Sequence, residues 1–299
     1  MSAVAGARFL DPAVLARIRD LELMARTVVQ GFVNGLHRSP YLGVSVDFAE
    51  HRPYMPGDDI RRIDWRLFAR SDRFYVKEFE ADSNSNFLLL LDVSRSMRFA
   101  SGSVSKLDYG RCLAACLAYF ARGQRDRVGL VTFDREVVDF VPPAAKHLDV
   151  VLHTLDRIPE REGRGELREP LLRAAESSHR RGILVLISDL YEDPEAALKA
   201  VRALQHKGSD LIVFQVLDPA ELDFPYETAA NYEDLETGER MPIVPEYVRV
   251  QYKRLVQEHI ATLARLFGEN RIDHALLDTR TPLDVALFRY LSRRERLTR

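Results

Sequence analysis

Two rhythms of apolar and polar positions divide the chain. Residues 11–35 repeat apolar side chains at helical spacing: Leu15, Ile18, Leu21 or Leu23, and Val28 trace one face, with Asp11 as cap and Pro12 in the first turn. Residues 45–80 change to strand-like alternation in SVDFAEHRPY and RFYVKEFEAD. Between them lies PGDDIRRIDWRLFAR, whose Pro56-Gly57-Asp58-Asp59 is a turn signal. From Asn86 onward, short apolar runs alternate with helical stretches. FLLLLD ends in Asp92 and is apolar on both faces, as expected of a strand buried from both sides. Residues 106–122 follow as a helix, with Ser105 as cap, Asp108 three residues on, and Leu113, Cys116, Leu117 and Phe120 as its inner face. RVGLVTF (127–133) and EVVDFV (136–141) predict two more strands, joined tightly enough for an antiparallel edge hairpin. Further helices are expected at 146–158, 167–180, 194–207 and 282–293, and strands at 182–189, 210–218 and 273–278. Residues 246–268 predict a long helix with Val248, Tyr252, Leu255, Val256, Leu263 and Phe267 on one side.

Strands alternating with helices predict an α/β fold with a doubly wound, mostly parallel sheet of the Rossmann type. The N-terminal helix and a small β extension (1–82) precede this domain (83–299). Residues 219–245 interrupt it as an insertion, with a hairpin around Thr237-Gly238 that is expected to pair with the 45–80 strands.

Composition narrows the function classes. At 299 residues the chain can bury a full core without disulfides or a structural metal. The formal net charge is −2, with 43 basic against 45 acidic residues, a balance in which nothing favours DNA, RNA or an anionic membrane as partner. The only cysteines, Cys112 and Cys116, sit four apart on one helical face. They read as small core residues; a metal pair lacks a second Cys or His pair at matching spacing. So few cysteines fit a reducing compartment. The longest apolar runs, Phe87 to Leu91 and Ile183 to Ile187, fall far short of the ~20 residues that span a bilayer. The start, MSAVAGARFLDP, lacks the apolar core of a signal peptide, so a cytoplasmic location is expected.

Candidate chemistry concentrates where apolar strands run out. Asp92-Val93-Ser94-Arg95-Ser96 follows one buried strand, and Asp189 ends another, Ile183 to Asp189. Open α/β sheets bind ligands outside the carboxyl ends of strands where strand order reverses, so neighbouring strands would aim both carboxylates into one crevice. Two readings stand side by side. A divalent cation such as Mg²⁺ would relieve the repulsion of the carboxylates and accept the hydroxyls of Ser94 and Ser96. Alternatively, Asp and Ser after a strand are ordinary caps and Asx-turn formers.

Asp92, Ser94 and Ser96, followed by Met97, resemble the first element of the metal-ion-dependent adhesion site of von Willebrand factor A domains. Ile187-Ser188-Asp189-Leu190 resembles the loop carrying that site's later Asp. The resemblance implies Mg²⁺ or Mn²⁺ at Asp92, Ser94, Ser96 and Asp189. It also implies a Thr ligand in the loop before the preceding helix, and there this chain has Gly163-Arg164-Gly165-Glu166-Leu167. Gly165 stands where Thr is expected; Glu166 or a water substitutes, or the site is degenerate.

A longer resemblance lies upstream. The block Phe48 to Trp65, with Glu50, His51, Arg52, Pro53, Tyr54, Pro56, Gly57, Asp58, Asp59, Arg61, Asp64 and Trp65, is similar to the hallmark of the family called domain of unknown function 58 (DUF58). Ala69-Arg70, Tyr75-Val76-Lys77, His37 to Pro40, Tyr232 to Gly238 and Asp278-Thr279 fit too. That resemblance implies a von Willebrand factor A-like domain with an N-terminal extension. It also implies no established catalysis, and a MoxR-type AAA+ ATPase as partner in chaperone-like maturation, assembly or metal loading of a client protein. Many such relatives carry N-terminal membrane helices, and this chain resembles the subgroup without them. Read from its residues alone, the block is either an internal salt-bridge network or a charged docking face, with Trp65 and Phe68 packed inward.

Three functions follow: a metal-assisted protein-binding module, a scaffold whose metal site is degenerate, and a phosphoryl-transfer enzyme using a strand-end Asp. Against the enzyme, the residue two after Asp92 is Ser94 rather than a second Asp, and no P-loop, G-x-G-x-x-G, G-x-S-x-G or H-E-x-x-H pattern is present.

Overall fold

The computed structural model describes residues 21, 23, 25, 26, 28, 29, 48–54, 67, 68, 70, 73–79, 85–159, 165–177, 181–205, 208–235 and 237–287. The centre is a six-stranded sheet. Its strands are β3 (Asn86–Asp92), β4 (Arg127–Phe133), β5 (Val137–Ala144), β6 (Gly182–Ser188), β7 (Asp210–Leu217) and β10 (Asp273–Asp278). Their order is β10-β7-β6-β3-β4-β5, all parallel except β5, which returns antiparallel along the edge. The helices are α1 (Lys106–Gly123), α2 (Leu148–Asp156), α3 (Arg168–Ser177), α4 (Pro194–Leu204), the short α5 (Pro219–Asp223) and α6 (Pro245–Glu269).

The two-faced burial of β3 follows from its composition. Leu89, Leu91 and Val93 pack with α1, α2 and helical residues Leu21, Ala25, Val28 and Val29 on one side. Leu88 and Leu90 pack with α3, α4 and α6 on the other. A strand with no polar position between its ends can only be a central strand of a sheet covered on both sides. From β3 the chain winds outward through β4 and β5, then crosses back to lay β6 on β3's other edge. The reversal therefore falls between β3 and β6, paired in register from Asn86↔Gly182 to Leu91↔Ile187. Gly182 is required there, since a Cβ would lie 2.1 Å from the Asn86 carbonyl oxygen.

Two further pairs stand apart. β1 (Phe48–Pro53) and β2 (Tyr75–Phe79) pair antiparallel, as do β8 (Ala230–Glu233) and β9 (Arg240–Ile243) in the insertion. The expectation that the insertion joins the 45–80 strands is thus corrected: among the described residues each hairpin satisfies its own backbone in its own two-stranded sheet. Two smaller corrections concern helix faces. Leu255 of α6 is exposed, and so is Leu23, so Leu21 is the residue that continues the first helix's buried face. The predicted Asp11, Pro12, Leu15 and Ile18, and the last helix beyond residue 287, lie outside the described residues.

Candidate functional site

The carboxyl ends of β3 and β6 meet at the reversal, and the predicted Asp92, Ser94, Ser96 and Asp189 all gather there. Asp92 closes β3 and is buried, and so are Ser94, Ser188 and Asp189. Each polar group has found a partner, as burial requires. Asp92 Oδ1 accepts the Ser94 N–H at 2.9 Å, and Oδ2 accepts the Ser188 hydroxyl at 2.6 Å. The hydroxyls of Ser94 and Ser96 lie 3.2 Å apart, and a single 3₁₀ turn (Ser96–Arg98) seats Met97 in the core. On the β6 side, Leu190 takes a left-handed backbone (φ 56°) that turns the chain sharply after Asp189. The turn is held by the Leu190 N–H donating to Ser188 Oγ at 3.2 Å and by His259 Nε2 donating to the Leu190 carbonyl at 2.9 Å.

Sequence reasoning missed three members of the site: Lys106, Glu221 and Ser188. Lys106 is the first residue of α1 and has no exposed surface. Its ammonium donates to Asp189 Oδ2 at 2.8 Å and to Glu221 Oε1 at 2.6 Å. Glu221 is held in turn by a capping box, its Oε2 accepting the Asp218 N–H at 2.7 Å. The Tyr191 ring covers the ammonium, with 4.9 Å to its centroid. Gly110, one turn along α1, explains how a lysine reaches so deep. A Cβ there would lie 3.1 Å from Leu91 Cδ1 and 3.3 Å from Ile187 Cγ2, so glycine lets α1 settle onto the ends of β3 and β6. The signal was available: Lys106 shares the inner stripe of its helix with Gly110, Leu113 and Leu117, four, seven and eleven residues on.

Electrostatics follow from this packing. Burial, with the neighbouring Asp189 carboxylate adding to it, pushes the Asp92 carboxyl up to about 7; bonds from Ser188 and Ser94 oppose the rise. For Lys106, burial alone would lower the pKa, but the two carboxylates outweigh it and hold the ammonium above its ordinary value. The cysteines are core residues: burial pushes the Cys112 thiol up to about 12, and Cys116 is also fully buried.

A divalent cation fits these residues poorly. Both oxygens of Asp92 already accept hydrogen bonds, and an ammonium is seated on Asp189. Gly165 brings no side-chain oxygen, and the substitute candidate Glu166 is exposed. The loop around Gly165 is tied elsewhere: the Glu166 N–H donates to the Asp134 carbonyl at 3.3 Å and the Leu167 N–H to Glu192 Oε1 at 2.6 Å. Among the described residues, no group of three His, Cys, Asp or Glu side chains is placed to hold a metal ion.

Of the upstream block, Glu50 and Arg52 lie on β1, and the Tyr54 N–H donates to the Phe74 carbonyl at 2.9 Å. Phe68 is half-buried and stacks on Phe74 with centroids 4.4 Å apart; Arg70 is exposed. Pro56, Gly57, Asp58, Asp59, Arg61, Asp64 and Trp65 lie outside the described residues. The family model described as "Protein of unknown function DUF58" matches residues 50–262, from β1 into α6. The chain belongs to the DUF58 family. A Mycobacterium bovis protein described as uncharacterized is 28% identical over 264 residues, covering 85% of this chain and 81% of that relative. Among solved structures, the conserved hypothetical protein BatB from Bacteroides thetaiotaomicron is similar at 18% identity and TM-score 0.49, over 70% of this chain and 98% of its own. The SpRpn10 VWA domain is similar at 11% identity and TM-score 0.40, over 67% and 92%. In this DUF58 chain, no helix among the described residues is long and apolar enough to cross a membrane.

Proposed function

We propose that this DUF58 protein is a non-enzymatic, cytoplasmic protein-binding module that docks partners at the mouth formed by the ends of β3 and β6. In this reading it works with a MoxR-type AAA+ ATPase in chaperone-like maturation or assembly of a client protein. The observation that carries the reading is the way the mouth's charges are spent. Asp92 accepts from Ser188 and Ser94, and Asp189 and Glu221 share Lys106. A nucleophile needs a base held against it and a path for substrate, whereas these acids are buried and committed to internal partners. The rim carries half-exposed groups: Arg95, 3.7 Å from Glu233, Ser96 beside Ser94, and Arg98, whose guanidinium donates to the Pro159 carbonyl at 2.9 Å. Such a rigid floor with a polar rim suits recognition.

The choice between a metal-assisted module and a scaffold with a degenerate metal site turns on Gly165. A glycine where the adhesion site has threonine favours the degenerate form. The test is co-purification of the ATPase with the full chain. Arg95→Glu with Ser96→Tyr changes the rim without touching the buried acids, and retention of the ATPase is expected to fall roughly tenfold, or about 1.4 kcal/mol. Undiminished retention by a folded variant contradicts docking at this mouth.

A further inference from the structure

We propose that the Lys106 ammonium is the resident cation of the crevice, standing where a divalent metal ion would otherwise balance its carboxylates, so that the site works without metal. The inference concerns the same crevice as the docking reading, but its test reads only metal and leaves docking to the co-purification.

Three independent features support it. The first is the ammonium itself. It is fully buried, 2.8 Å from Asp189 Oδ2 and 2.6 Å from Glu221 Oε1, with the Tyr191 ring over it. A lysine gains nothing from its place at the first position of α1, because the amino end of a helix repels positive charge. The two carboxylates must therefore be what holds it there, and in return it offsets one of their two charges. Glu221 has no counterpart in the expected ligand set of Asp92, Ser94, Ser96 and Asp189. It is the second carboxylate that an ammonium needs for its remaining protons.

The second feature is the backbone that delivers the cation. Gly110 allows α1 to approach Leu91 and Ile187 so closely that a Cβ would crowd both. This brings the first turn of α1 over the end of β6. The third is the loop at Gly165, which supplies no hydroxyl and whose amides are tied to the Asp134 carbonyl and the Glu192 carboxylate. A dication bound by Asp189 would have to sit within a few ångströms of a buried ammonium, where like charges repel strongly. The site thus combines an added internal cation with a missing external ligand.

The test is Mn²⁺ titration by isothermal calorimetry at pH 8, with folding checked by circular dichroism. The unmodified chain is expected to show no saturable binding up to about 10 mM Mn²⁺. Lys106→Met should gain one Mn²⁺ per chain, and adding Asp92→Asn should remove it. If Lys106→Met does not fold, Lys106→Met with Glu221→Gln restores the charge balance and carries the same expectation. Lys106→Arg, which keeps the charge, should take up no Mn²⁺. Saturable one-to-one binding by the unmodified chain overturns the proposal. So does a folded Lys106→Met chain that still takes no Mn²⁺, because the ammonium is then not what excludes the ion.

Discussion

The crevice has two flanks built alike and neutralised differently. On the β3 flank, Asp92 leaves its strand level with Ser188 and is surrounded by a hydroxyl and an amide. Among the described residues no cation is paired with it, and burial drives its carboxyl toward the protonated form, up to about 7. On the β6 flank, Asp189 comes one residue later and receives a buried ammonium that it shares with Glu221. Position at the end of a parallel strand does not by itself decide what a carboxylate does. The neighbouring helix decides it, by what its first turn carries and how closely it can approach.

Breaking the cation side has the largest expected effect. Lys106→Met leaves Asp189 and Glu221 buried without their cation, and loss of one member of a buried ion pair costs about 3–5 kcal/mol. Equilibrium urea unfolding measures this; a loss below about 1 kcal/mol would mean the triad is solvated in solution. The Asp92 flank has the opposite sign. Its carboxyl binds a proton more tightly in the fold than in the unfolded chain, so its contribution is fully present below the ordinary carboxylate pKa. That contribution is lost as pH rises from about 4 through about 7. Asp92→Asn mimics the protonated form. It should gain on the order of 2–4 kcal/mol relative to the unmodified chain at pH 8 and show almost no gain at pH 4, read from unfolding midpoints at both pH values. A gain independent of pH would place its cause in packing. The smallest effect is at the helix start that presents Lys106. Ser105 Oγ accepts the Asp108 N–H at 3.0 Å, and Ser105→Ala should cost about 1 kcal/mol by thermal unfolding.

The contrast between the flanks also marks what the sequence could reveal. The sheet was legible because its strands carry their own signatures. Leu88 to Leu91 has no polar face to offer, and Asp273–Asp278 is bounded as read. The β3 flank was legible too, since Asp92, Ser94 and Ser96 are local in sequence and their spacing is that of a turn. The β6 flank was only half legible. Asp189 is marked by the strand it ends, but its ammonium partner comes from Lys106, 83 residues before, and the carboxylate that shares it from Glu221, 32 after, and no local periodicity pairs them. Lys106 is hidden in an amphipathic pattern where a long stem can pass as the polar edge of a helix. Glu221 lies in an insertion whose hairpin gave no hint that the short α5 before it turns a carboxylate inward. Strand-end acids are also common here: Asp134, Asp218 and Asp278 follow or end β4, β7 and β10. Asp218 serves as a helix cap and holds the Ser101 N–H at 3.0 Å. Strand-end position alone could not separate that structural role from a binding one.

The central claim is that the crevice is balanced from within. It is tested most directly by the denaturation midpoint of the unmodified chain at pH 8, where Asp92 is mostly ionised and best able to attract a metal. Curves are recorded first with EDTA and then with excess Mn²⁺. A ligand at about 100 times its dissociation constant stabilises a fold by roughly 2.7 kcal/mol, well above the resolution of such curves. The account predicts that the two curves superimpose. A midpoint that rises with Mn²⁺, and falls back when EDTA is restored, would contradict it.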